Sequence, residues 1–179
     1  RILDVGEVRV CVWPEYYSLS WKNPRTFELE GLDVDMAHAL AERLGVRLQF
    51  VESSFAALVE NMQNDACDIA MHGVGVLASR MPYMAFSTPY VASHIVAVAE
   101  LANEHIGSWA DIDREGVVVA AQRGTLMEAL CPSTFRMPNF SSWTPSAPGN
   151  RRCCRAVRMC FLRTSPRPSA WRSCMAGQR

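Results

Sequence analysis

No aspartate or glutamate follows Glu128, although the 179-residue sequence holds 18 of them. Nine of the 18 basic residues lie after residue 130, all arginine with no lysine, so residues 1–130 carry net −9 and residues 131–179 carry +9. The overall neutrality is a sum over two unlike pieces. Long apolar runs are missing too. The longest, around IVAVAELA at 95–102, is strand-sized, against the roughly 20 residues that a membrane-spanning helix needs. A spanning helix is thereby excluded. The chain starts with arginine rather than with methionine and an apolar leader, so any secretion signal is expected to have been removed or to lie outside the sequence.

Metal and catalytic spacings are equally scarce. The histidines at 38, 72, 94 and 105 have no ligand-like spacing, and Cys153, Cys154, Cys160 and Cys174 lack the paired short spacings of a zinc site. No catalytic constellation, metal or cofactor is expected. Cys11 and Cys67, the two cysteines before residue 130, fall on strands that should be neighbours. A bridge would suit an oxidising compartment, but two buried thiols are the preferred expectation.

What is present before residue 130 reads as a globular α/β layer. With 49% apolar and 20% charged residues the chain has the means to bury a core. VRVCVW (8–13) is a buried strand, followed by a Pro- and aromatic-bearing loop, PEYYSLSWKNPRT. DVDMAHALAERLG is an amphipathic helix with Asp33 as N-cap, Met36, Leu40 and Leu44 on one face, and Gly45 as its stop. VRLQFV (46–51) is a second strand. Ser53 or Ser54 caps a helix that aligns Phe55, Leu58, Val59 and Met62, and CDIAMHG is a third strand. Strand, helix, strand, helix, strand implies parallel pairing through right-handed crossovers. SHIVAVAE and GVVVAAQ read as further strands, SWADIDREG as a capped helical turn, and RGTLMEAL as the opening of a helix.

In an open α/β sheet a ligand sits beyond the carboxyl ends of the strands. WPEYYSLSW, HGVGV and QRGT occupy that edge. They offer aromatic faces, a glycine-bracketed backbone that lets a ligand approach, and a helix start suited to an anion. Arg80 can form a bidentate pair with a carboxylate. Each also has a bland reading: a loop arginine is usually solvated, Gly-Thr before a helix is turn chemistry, and His72 is a rim or core histidine.

The run from VRVCVW to FSTPY, with its E-G-L-D-V-D helix entry, D-I-A strand, glycine seven residues before an arginine, and F-S-T-P-Y, resembles the first lobe of the family 3 extracellular solute-binding proteins, the amino-acid receptors of ABC importers. The resemblance covers about residues 5–130, continuing through ADIDREGVVVAAQRGTLMEAL. It implies a type II periplasmic-binding-protein fold, α/β with two lobes and mixed or parallel sheets, of which this chain holds the first lobe (1–97) and the start of the second (98–130). It further implies a periplasmic monomer that binds an amino-acid-like carboxylate and presents it to a membrane ABC permease. Glu15, Tyr16 and Phe55 match ligand-side-chain positions, Arg80 the clamp on the α-carboxylate, and Gly124 with Thr125 the second-lobe carboxylate contact. The backbone at His72, Gly73 and Gly75 matches the segment that receives the ammonium and carboxylate groups. Four residues depart from the family pattern: Trp13, His72, Gly75, and Ala85 in place of the aspartate of D-F-S. The competing expectation is an enzyme resembling the cyclohexadienyl dehydratases, which use the same fold; turnover of prephenate or arogenate would decide for it.

Residues 131–179 are expected to be an aberrant tail rather than a domain. Their nine arginines raise nucleic-acid binding, but they follow no periodic scaffold, and none is expected. At codon level, Met159-Cys160 read one base earlier forces a valine, and residues 150–174 permit QEVLSGRADVFLTDFPASQRLAEL without a stop. That string resembles the family's second lobe. The tail is therefore read as a frame slip close after Leu130, for which the nucleotide sequence is the test. A chain so interrupted is expected to be marginally stable and to bind ligand weakly.

Overall fold

The computed structural model describes residues 1–99, 103–129, 140–143 and 157–162, the last two segments by backbone alone. Two compact units emerge, one built on Arg1–Thr88 and the other beginning at Pro89. The frame-slip reading concerns residues that mostly lie outside those described; two tail segments within them are strands.

The first unit opens with α1 (Ile2–Val5) and β1 (Glu7–Val12). A small antiparallel ribbon follows, β2 (Glu15–Tyr16), β3 (Ser20–Lys22) and β4 (Leu29–Glu30). Next come α2 (Leu32–Leu44), β5 (Arg47–Glu52), α3 (Leu58–Gln63) and β6 (Ile69–Ala70). The main sheet has the order β5-β1-β6 and is parallel throughout, with Val10 opposite both Phe50 and Ile69. The alternation of β1 drives this arrangement. Val8, Val10 and Val12 are fully buried on one face against Ala37 and Ala41 of α2, with Leu48, Phe50, Ile69 and Met71 around them.

Three expectations are corrected. The N-cap of α2 is Gly31, not Asp33, and Asp33 lies fully buried inside the first turn. Its carboxylate is engaged by the Gly73 amide at 2.7 Å. Gly31 is required there because its φ is +135° and a Cβ would sit 2.4 Å from the Leu19 carbonyl oxygen. The buried face of α2 is Val34, Ala37 and Ala41, whereas Leu44 is 36% exposed. The helix lays its small side on the sheet, because alanines let the two backbones approach. The stretch read as a plain loop after β1 instead contains the three-stranded ribbon, whose two- and three-residue strands are too short to show alternation.

A further correction concerns the cysteines. Cys11 and Cys67 are joined in a disulfide, with Cα atoms 5.6 Å apart. Parallel zipping brings them there: the Arg9 amide donates to Asp68 Oδ2 at 2.8 Å, the Asp68 amide to the Arg9 carbonyl at 2.8 Å, and the Met71 amide to the Cys11 carbonyl at 2.9 Å. The Arg9 guanidinium also bonds Asp68 and holds that carboxyl below its ordinary range.

The second unit is a four-stranded sheet of order β7-β10-β8-β9, formed by β7 (His94–Val98), β8 (Val119–Gln122), β9 (Phe140–Trp143) and β10 (Val157–Leu162). β10 runs antiparallel to β7 and parallel to β8. Its core gathers Ile112 of α4 (Trp109–Ile112), Val119, Ala121 and Met127. As the sequence predicts, α4 is capped: the Ser108 amide and hydroxyl both donate to Asp111 Oδ2 at 2.8 Å. No helix among the described residues is long and apolar enough to cross a membrane.

Candidate functional site

At the carboxyl edge of the first sheet, four rings meet. Trp13 leaves the end of β1, Tyr16 lies in β2, Phe55 precedes α3, and His72 follows β6. Phe55 is the hub, with ring centroids 5.3 Å from Trp13, 5.8 Å from Tyr16 and 5.0 Å from His72, all edge-on. Trp13 and Tyr16 close the group at 5.6 Å. Edge-to-face contacts at these spacings are the favoured geometry for such rings. The ribbon supplies Tyr16, and the Ser20 hydroxyl anchors it by donating to the Trp13 carbonyl at 2.8 Å.

β6 pairs with β1 over two residues only, because the chain then turns at Gly73. There φ is +63°, and a Cβ would lie 2.8 Å from Tyr16 Cε1 and 2.6 Å from Leu19 Cδ1. Arg80 is 4% exposed, and its Nη1 donates to the Gly75 carbonyl at 2.7 Å. Burial lowers the Arg80 pKa from its ordinary value, but an arginine stays charged in any case.

His72 is fully buried. Its Nδ1 lies 3.2 Å from the Cys11 carbonyl, which can only accept, so Nδ1 carries the proton. Burial pushes the imidazole pKa down to about 4; the bond to Cys11 opposes this, and the Arg80 charge adds to it. His72 is therefore neutral near neutral pH.

Of the residues predicted for a ligand, Tyr16, Phe55, His72, Gly73, Gly75 and Arg80 gather at this one edge. Glu15 stands apart on the exposed side of β2, opposite Trp21 in register. Gly124 and Thr125 belong to the second unit, at the turn after β8. Gly124 has φ +77°. Thr125 is buried, and its hydroxyl donates to the Gln122 carbonyl at 2.6 Å. The Gly124 amide donates to Glu128 Oε2 at 2.5 Å.

Three contributors escaped sequence reasoning. Asp33 takes up the Gly73 amide, which the sequence reading left available to a ligand. Glu128 takes up the Gly124 amide, and the Thr-x-x-Glu spacing was a visible signal for it. The Ser20 hydroxyl, which ties the ribbon to the Trp13 carbonyl, is the third. A shallow cleft at the opposite edge of the sheet, lined by Arg1, Met62, Asp65 and Asp68, is remote from the rings and held by ion pairs among those residues. Among the described residues, no group of three or more His, Cys, Asp or Glu could hold a metal.

Known proteins resemble this chain in sequence and in fold. The chain is 34% identical over 139 residues to the cyclohexadienyl dehydratase of Pseudomonas aeruginosa, a stretch covering 76% of this chain and 51% of that protein. It is 24% identical over 115 residues to the ABC transporter arginine-binding protein 1 of Escherichia coli, covering 64% of this chain and 44% of that one. It thus spans about half the length, or less, of these relatives. Among solved structures, the arginine-bound form of truncated ArgBP from T. maritima superposes with TM-score 0.79 at 22% identity, covering 99% of this chain and 81% of that one. An ancestral amino acid-binding protein, described as a precursor of cyclohexadienyl dehydratase, gives TM-score 0.78 at 24% identity, covering 89% and 72%. These likenesses establish the periplasmic-binding-protein fold. The sequence profile of the bacterial extracellular solute-binding proteins, family 3, matches residues 8–165, past residue 130 where the motif resemblance ends. On that match the chain belongs to the bacterial extracellular solute-binding proteins, family 3.

Proposed function

We propose that this chain carries the recognition machinery of a periplasmic solute-binding protein serving an ABC importer, and that its ligand is a small carboxylate-bearing solute of the amino-acid class. The observation that supports this reading best is Arg80. It is a buried guanidinium fixed by a backbone carbonyl, and it acts electrostatically on one member of a four-ring cluster. A desolvated arginine makes a strong, directional bond with a carboxylate. Tyr16 and Phe55 flank the solute side chain, the Gly73–Gly75 backbone meets its polar end, and Glu15 stands at the rim. Gly124 and Thr125, in the second unit, are a separate candidate for a carboxylate contact, with the Gly124 amide bonded to Glu128 in this structure. The partner is a membrane permease, and the binding protein acts as a monomer.

The identity to a cyclohexadienyl dehydratase favours a second reading, an enzyme on the same fold. Neutral His72 and cationic Arg80 are not acids for dehydration, so this reading has to find its acid among other residues, with Glu128 of the second unit one to test by Glu128→Gln. The test is a melt of the 179-residue chain against each L-amino acid at millimolar concentration, beside an assay with cyclohexadienyl acids. A small rise confined to one chemical class of amino acid, without turnover, is expected, which is what weak binding at millimolar ligand gives. Turnover of a cyclohexadienyl acid with no amino acid raising the melt would replace this reading with the enzyme.

A further inference from the structure

Among the described residues, one buried side-chain nitrogen or oxygen has no hydrogen-bond partner, and it is Nε2 of His72. Buried polar atoms are almost always bonded, so each exception calls for a cause. The tautomer is fixed here: Nδ1 faces the Cys11 carbonyl at 3.2 Å and holds the proton, so Nε2 presents a bare lone pair. A donor is what it lacks. Within the described residues the atom is enclosed, with Phe55 packed edge-on against the imidazole at 5.0 Å. A ligand reaches it only as the rings of the cluster move apart.

The direction of approach follows from Arg80. Arg80 bonds the Gly75 carbonyl, three residues beyond His72, so a carboxylate seated on Arg80 lies at the turn that carries the imidazole. The group next to the carboxylate of an α-amino acid is an ammonium, which donates hydrogen bonds and accepts none. Arg80 itself is turned to the Gly75 carbonyl at 2.7 Å. The Gly73 amide is taken by Asp33 at 2.7 Å, so that one amide is not open to a second acceptor group.

We propose that His72 determines specificity: its Nε2 accepts a hydrogen bond from the α-ammonium of the ligand, so that the site selects α-amino carboxylates over carboxylates lacking that group. The proposal rests on the binding reading above and names the chemistry of its polar end. Burial holds the imidazole uncharged, which removes the repulsion that an imidazolium would exert on an ammonium.

The experiment uses the 179-residue chain labelled with ¹⁵N-histidine, with His72 assigned through His72→Gln. Long-range ¹H–¹⁵N correlation reads the protonation of each ring nitrogen. Titrations compare L-arginine, L-glutamine and L-phenylalanine at millimolar concentration, each beside its desamino analogue. Nε2 is expected to be unprotonated in the free chain. It is expected to shift towards the value of a bonded acceptor with an amino acid and to stay unchanged with the analogue. His72→Phe is expected to weaken the preferred amino acid roughly tenfold or more while leaving its analogue within about twofold, the size of effect known for a bond to a charged donor. His72→Gln, which keeps a donor for Cys11 and an acceptor, should retain the preference.

A proton on Nε2 in the free chain overturns the proposal. So does equal binding of both members of a pair with no effect of His72→Phe; if Arg80→Ala then abolishes both, carboxylate binding stands without a role for His72. Failure of every pair to bind overturns the proposal and the binding reading together. Should His72→Phe not fold, the wild-type ring-nitrogen shifts decide alone.

Discussion

Two turns of this chain, one in each unit, share a chemistry that sequence alone reads as anion-binding, and the structure treats them differently. The first, from Gly73 to Arg80, buries a guanidinium whose Nη1 bonds the Gly75 carbonyl. The second, at Gly124 and Thr125, delivers a backbone amide to the carboxylate of Glu128, four residues along the same chain. In the first, the protein supplies fixed positive charge. In the second, it supplies its own anion. A glycine amide at such a turn is thus evidence of a donor, and its acceptor comes from one turn ahead at Gly124 but from another element, Asp33 of α2, at Gly73.

Removing the guanidinium tests the first turn hardest. Arg80→Ala in the intact protein is expected to weaken a carboxylate ligand by roughly 3–5 kcal/mol, because it strands a buried charge. Titration calorimetry measures this, and a change in dissociation constant below about tenfold would falsify the assignment of Arg80. Next in size is the bridge that anchors β6. Cys11 and Cys67 are separated by 56 residues, and opening a loop of that length should lower stability by about 4 kcal/mol. Urea unfolding with and without a dithiol reductant measures it; superimposable curves would show that β1 and β6 hold together without the bridge.

The third effect belongs to pH. The folded-state pKa of His72 is about 4, against an ordinary value of 6.5, so the unfolded chain binds more protons between these values. The neutral imidazole contributes its full share above the unfolded value and loses it as pH falls towards the folded one, roughly 3 kcal/mol in all. Urea midpoints of wild type and His72→Gln across that window should diverge, the variant losing less on acidification. Parallel loss would place the titration elsewhere. The smallest expected effect sharpens the second turn. Glu128→Ala should cost about 1 kcal/mol of stability through the lost cap, read as a lower melting midpoint of the second unit, and an unchanged midpoint would deny the Gly124–Glu128 bond an energetic role.

These contrasts show what was readable in advance. The parallel order around β1 was legible, because Val8, Val10 and Val12 alternate with less apolar neighbours and two helix-length segments separate the strands. The gathering of Tyr16, Phe55, His72 and Arg80 was legible through motif resemblance, since each belongs to a segment that follows a strand of the first sheet. The buried side of α2 was not. Met36, Leu40 and Leu44 form the stronger apolar stripe by residue type, yet close approach to the valines of β1 selects Ala37 and Ala41. Side-chain volume at a contact is a tertiary property that periodicity does not encode. Nor was Asp33 legible: an aspartate at a helix start reads as a cap, and its partner Gly73 lies 40 residues away. The disulfide turned on register, since only the pairing of Cys11 with Ala70 sets Cys67 beside its partner.

The carbonyl of Cys11 accepts from both the Met71 amide at 2.9 Å and the His72 imidazole at 3.2 Å, while the side chain of the same residue is half of the bridge. Core, strand edge and the His72 ring are therefore joined at a single residue, so the bridge, the last ladder bond and the imidazole share one point of attachment, while Ser20 and Asp33 tether the rest of the rim from the ribbon and α2.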